Sequence, residues 1–167
     1  MTSREWDLLD QEVKSAIVPS MQQPPIKLSQ LASNVGGVRI IAAPLPKGIS
    51  GEIRPDPDNV GNYLIKVNRN DSARRQRFTV AHELAHYFLH RDQIGGGIED
   101  DVLYRSKLSD AREAQANRLA ADILMPEKLV DEWIDKARAL KVEDVLGFLA
   151  DKFNVSEAAM KIRLGIK

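Results

Sequence analysis

The stretch RFTVAHELAHYFLH, residues 77–90, limits this chain more than any other segment. Phe78, Val80, Ala81, Leu84, Ala85 and Phe88 give a helix too apolar to lie in water on every side, so it must be buried. Two histidines, His82 and His86, sit one helical turn apart in it and project from the same face. Buried imidazoles need polar partners. A shared divalent cation satisfies both, and nitrogen ligands of this kind suit zinc. Glu83 follows the first histidine, so its carboxylate flanks the ion without having to bind it. A general base that takes a proton from an activated water belongs there. The bland alternative, a solvated helix with incidental histidines, conflicts with the apolar flanks.

Composition narrows the remaining ligands. The sequence holds three histidines and no cysteine, which excludes thiolate ligands, disulfides and thiol catalysis. A catalytic zinc takes three protein ligands and leaves one position open. His90 lies eight residues beyond His82, about 12 Å along a helix axis, too far to share an ion bound at about 2 Å. It reads instead as a helix-end histidine near the last carbonyls, with a substrate-side donor role as the alternative. Asp92 stands where longer zinc-protease patterns carry a third histidine. The glycine that would turn the chain back towards the ion is replaced by Leu89, which disfavours that route.

The segment SDAREAQANRLAADILMP, residues 109–126, offers a better third ligand. Glu113 and Asn117 are four apart and share a face. Ala114, Ala116, Ala120 and Ala121 are small enough to let this helix come close to the histidine helix. Glu113 would complete a His2Glu site, and Asn117 would orient a ligand imidazole from behind. Alone, Glu113 would read as a solvated glutamate paired with Arg112 or Arg118.

The rest of the chain reads as α+β. Helices are expected over 4–18 and 27–34, the second stopping at Gly36-Gly37. Three strands, 38–42, 49–54 and 63–68, predict a small antiparallel sheet packed on a helical bundle. A helix over 72–90 with Asp71 as cap, a loop over 91–108 with the acidic triplet Glu99-Asp100-Asp101, and a helix from a Ser109 cap to Met125 follow. Pro126 opens the next helix, and two short helices, 143–152 and 156–164, end the chain. At 167 residues this is sized for a single domain, 1–167. Within it, 1–25 forms an N-terminal helix and linker, 26–126 the sheet and zinc-site core, and 127–167 the C-terminal helices.

RFTVAHELAHYFLH with EAQANRLAADILMP resembles the ImmA/IrrE family of zinc metallopeptidases, similar to gluzincins with two histidines on one helix and a glutamate on the next. The strand segment GEIRPDPDNVGNYLIKVN and the closing FNVSEAAMKIRLGI resemble the family as well, so the likeness spans most of the chain. It implies a zincin-like fold, one catalytic Zn2+ on His82, His86 and Glu113, and Glu83 as the catalytic carboxylate. It also implies a partner. Characterised relatives act on helix-turn-helix repressors, relieving repression in stress responses or mobile elements, and others are toxin partners of an antitoxin-like repressor. The expected activity is that of a zinc endopeptidase whose substrate is such a repressor or antitoxin encoded nearby. A non-catalytic repressor- or DNA-binding module and a toxin component are the alternatives.

Lys+Arg and Asp+Glu both number 24, a balance that argues against a partner recognised through nucleic-acid phosphates. The C-terminal pair has the helix-turn-helix pattern, with Lys161, Arg163 and Lys167 as the side chains that could meet DNA. Its apolar residues favour packing on the core instead. Arg74, Arg75 and Arg77 read as a solvated face. No apolar run approaches the ~20 residues of a membrane span, and the charged N-terminus has no signal core, which predicts a cytoplasmic protein with no membrane partner. Tyr63, Tyr104 and His90 are the candidate oxyanion donors, and the edge of strand 63–68 is a candidate track for substrate.

Overall fold

The computed structural model describes residues 2–101 and 110–167. Helix α3 (Leu28–Val35) buries Leu28, Leu31 and Ala32 and stops at Gly36 and Gly37, whose φ of 76° and 75° only glycine adopts readily. Strands β1 (Val38–Ala43), β2 (Ile49–Pro55) and β3 (Tyr63–Asn68) follow within a residue or two of the expected positions.

Their pairing differs from the expectation of an antiparallel sheet. The order is β1-β3-β2-β4, with β1 parallel to β3 and β3 antiparallel to β2. The link 44–48 carries the chain past the end of β3, which then returns between β1 and β2. Asn68 holds this crossover: its side-chain amide donates to Ile49 O at 2.9 Å and Leu45 O at 3.4 Å, and its Oδ1 accepts from Asn70 N at 3.0 Å. Short apolar runs specify that strands form but not which neighbours they take, so the parallel pair was invisible locally. The fourth strand, β4 (Ile98–Asp101), pairs antiparallel with β2 and contains the acidic triplet expected in a loop. It is four residues long and follows a glycine run, which hides it from alternation counts.

Helix α4 (Ala73–Leu89) carries the histidine motif, capped by Ser72, not Asp71: the Ser72 Oγ accepts from Arg75 N at 3.3 Å. It packs against β2, β3 and α5 (Asp110–Leu124), with Ala81, Leu84 and Ala85 fully buried. α5 packs against α4 and fully buries Ala116, Leu119, Ala120 and Ile123. The expected Ser109 cap lies outside the described residues.

The expected N-terminal helix is two, α1 (Arg4–Asp7) and α2 (Gln11–Ile17), broken before Asp10. Glu5 of α1 is buried and takes a two-pronged bond from Arg118 of α5 at 2.6 and 2.9 Å. Arg118 is thereby committed to Glu5, which holds the Glu5 carboxyl below its ordinary pKa.

At the other end, α6 (Glu127–Ala139), α7 (Val145–Phe153) and α8 (Glu157–Arg163) bury Leu129, Leu149, Phe153, Val155 and Met160 in the same core. Asn154 turns α7 into α8 in the left-handed region, and the Ser156 Oγ caps α8 through Ala159 N. Arg163 is not a phosphate-facing cation. It pairs with buried Asp122 at 2.9 Å and donates to Met125 O, with its side chain 9 % exposed. Of the arginines at the start of α4, Arg75 is exposed as on a solvated face, while the other two are engaged. Arg74 pairs with Asp151 at 2.6 Å, and Arg77 donates to Asn154 O at 3.2 Å. They tie α4 to the C-terminal pair. Among the described residues no helix is long and apolar enough to cross a membrane.

Candidate metal centre

His82 and His86 lie on α4, and Glu113 enters from α5, all three buried. The His82 and His86 Nε2 atoms are 3.1 Å apart. The Glu113 carboxylate reaches both, Oε2 at 3.1 Å from His82 Nε2 and Oε1 at 3.2 Å from His86 Nε2. Four ligands about 2.0–2.1 Å from a tetrahedral ion stand about 3.3–3.4 Å from one another. The observed separations come within a few tenths of an ångström of that. Two imidazole nitrogens and a carboxylate suit a divalent transition metal. Among the described residues this is the one group of three such side chains whose ligand atoms converge.

Asn117 stands one turn after Glu113 on α5, with its Oδ1 2.8 Å from His82 Nδ1. An amide oxygen only accepts, so the His82 Nδ1 carries hydrogen and its Nε2 lone pair faces the cluster. The expectation that Asn117 orients a ligand imidazole therefore has a matching contact.

Glu83 is fully buried where α4 meets β2. Gly51 of β2 makes that contact possible. A Cβ there would collide with Thr79 Cγ2, stand 3.1 Å from Lys66 O and lie 3.7 Å from Glu83 Cγ. The missing side chain leaves the strand room to lie against the helix beside the carboxylate.

The other sequence candidates are placed differently. Asp92 is exposed in a short 3-10 turn, Arg91–Gln93, and is not one of the converging three. Glu99 is exposed on β4. Tyr63 packs edge-on against Tyr87, ring centres 5.5 Å apart. Tyr104 lies outside the described residues. β3 is not an edge, because β1 and β2 flank it, so it offers no open track for substrate.

The sequence points to His90 as a helix-end residue or a substrate-side donor. It does end α4, its N–H donating to His86 O at 2.8 Å. Its ring, however, is 1 % exposed and engaged on both sides: Nδ1 is 2.9 Å from His86 Nδ1, and Nε2 is 2.9 Å from Gln115 Oε1. A ring so occupied has no N–H to offer a substrate. Burial, with the nearby His86 and Arg112, keeps its pKa below the ordinary histidine value. Gln115 was missed altogether. The i, i+4, i+8 spacing of His82, His86 and His90 was a signal for His90. Gln115 had none, since it stands about 200° around the helix from Glu113.

Comparison with known proteins agrees with this geometry. Residues 34–165 match the profile of the IrrE N-terminal-like domain. The chain is 31 % identical to the metallopeptidase ImmA of Bacillus subtilis over 93 residues, 56 % of this chain and 50 % of that protein. It is 33 % identical to the radiation response metalloprotease IrrE of Deinococcus radiodurans over 81 residues, 48 % of this chain and 24 % of that one. A Mycobacterium tuberculosis transcriptional regulator shares the fold, with a TM-score of 0.61 at 19 % identity, over 99 % of this chain and 47 % of its own. The chain thus spans half or less of each of these proteins.

Proposed function

Because the chain belongs to the ImmA/IrrE family of metallopeptidases, we propose that it is a zinc-dependent endopeptidase whose substrate is a helix-turn-helix repressor. The observation that carries this reading is the meeting of His82, His86 and Glu113 from two helices at the mutual spacing of metal ligands. Two imidazoles and one carboxylate fit zinc and leave a position open. An ion held there supplies a Lewis acid that polarises a peptide carbonyl and acidifies water.

The chain's own groups do the remaining work. Glu83, next in sequence to His82 and enclosed between α4 and β2, accepts the proton of the attacking water and returns it to the departing amine. Asn117 keeps His82 in the orientation the ion needs. Among the described residues, the sheet edge beside β2, the strand that meets α4 near Glu83, is β4. A substrate strand would add to the sheet there.

The test is incubation with the repressor encoded next to this chain, with and without zinc, read by intact mass. The expected result is two fragments that appear only with zinc. Glu83→Gln should keep the metal and lower the cleavage rate by about 10²–10⁴-fold. Cleavage that survives both chelation and Glu83→Gln would reject the reading. A salt-dependent mobility shift on duplex DNA, indifferent to chelator and without cleavage, would favour a DNA-binding module instead.

A further inference from the structure

We propose that His90 and Gln115 are positioning residues for the metal ligand His86, forming a hydrogen-bonded relay that presents its Nε2 lone pair to the ion. The inference rests on the metallopeptidase reading and names two residues that support the site from behind.

The proton positions follow from the donor and acceptor inventory. Gln115 Oε1 can only accept, so at 2.9 Å it takes a hydrogen from His90 Nε2. A neutral imidazole carries one hydrogen, which leaves His90 Nδ1 as an acceptor. That atom faces His86 Nδ1 at 2.9 Å, so His86 must donate from Nδ1. His86 Nε2 then bears a lone pair, directed where His82 Nε2 and the Glu113 carboxylate converge. The reversed arrangement would place a hydrogen on His86 Nε2 and prevent it from ligating. The amide thus selects, through two rings, the one tautomer that can hold a metal.

The relay also completes a pattern between the two helices. α5 supplies Asn117 behind His82, Glu113 between the two imidazoles, and Gln115 behind His90. Each ligand histidine therefore has its Nδ1 hydrogen committed directly to an acceptor, Asn117 Oδ1 for His82 and His90 Nδ1 for His86. Groups in this position orient the ring and raise its basicity towards the ion.

The experiment compares the wild-type chain with Gln115→Leu, Gln115→Glu and His90→Ala. Zinc affinity is measured by competition with a chromophoric chelator, the cobalt-loaded absorption spectrum is recorded, and the apo fold is checked by circular dichroism. Gln115 is half-buried, so its variants keep the test valid even where His90→Ala fails to fold. Gln115→Leu should weaken zinc binding by about 10–100-fold and alter the cobalt spectrum. Gln115→Glu retains an acceptor and should stay within about threefold of wild type, on the same reasoning. A packing role predicts the opposite order, with leucine tolerated and the buried charge not. Wild-type affinity and spectrum in Gln115→Leu, or equal losses in both variants, would overturn the relay while leaving the metal centre intact. A wild-type chain that binds no divalent cation would instead overturn the metallopeptidase reading, and the relay with it.

Discussion

Replacing Glu113 by alanine separates a metal site from a merely polar cluster. Glu113 contributes one of three converging ligands and its only negative charge, with oxygens 3.1 and 3.2 Å from the two imidazoles. An ion that binds the folded chain alone stabilises it by RT ln(1 + [L]/Kd), about 2.7 kcal/mol at a hundred times Kd. The unfolding entropy of a 167-residue chain is about 0.35 kcal/mol/K, from about 2.1 cal/mol/K per residue. Zinc at that concentration should therefore raise the wild-type Tm by about 8 °C. If removal of the carboxylate weakens binding about a hundredfold, the same zinc stands near Kd. Its stabilisation falls to about 0.4 kcal/mol, or roughly 1 °C. Differential scanning calorimetry with and without zinc, on both proteins, reads the difference directly. The apo proteins should differ much less, since the buried carboxylate's gain from two imidazoles is set against its lost hydration. An equal zinc-induced rise in Glu113→Ala would refute the assignment of this carboxylate as a ligand.

Two further outcomes follow from contacts elsewhere in the fold. Gly51→Ala drives a Cβ into Thr79 Cγ2 and to 3.1 Å from Lys66 O, so chemical denaturation should show a loss of about 1–3 kcal/mol. Thr79→Ser removes the first collision and should restore part of that loss in the double variant. Strict additivity of the two changes would reject the clash. Arg39 bonds Asp56 at 2.6 and 2.9 Å and holds its carboxyl below the ordinary carboxylate range. A depressed pKa contributes stability that is complete above the unfolded value, about 3.9, and is lost as pH falls towards the folded one. Thermal melts of Asp56→Asn should therefore show a shallower decline than wild type below about pH 4, and parallel declines would reject this role for the pair.

How far the sequence reached depended on the range of the interaction concerned. The strand positions and most helix spans were legible because glycine, proline and apolar periodicity act within a few residues. The motif histidines were legible because four residues make one helical turn. Glu113 and Asn117 could be paired by the same spacing, and alanines marked the face that approaches α4. Local signals failed where distant parts meet. The parallel β1–β3 pairing rests on Asn68 gathering carbonyls from the crossover. The role of Arg163 rests on Asp122, forty-one positions earlier. Arg74 and Arg77 look like surface cations until α7 and its turn are folded against them.

Taken alone, the sequence determined which side chains could be ligands: with no cysteine and three histidines, only imidazole and carboxylate were left. It also fixed their projection along each helix, because that depends on backbone geometry over one turn. Only the tertiary structure decided that Glu113 faces both imidazoles, that Gly51 lets β2 close on Glu83, and that Gln115 reaches His86 through His90. Each of these needs two elements at a set distance and rotation. Those quantities come from the packing of the whole core, and no short stretch of chain contains them.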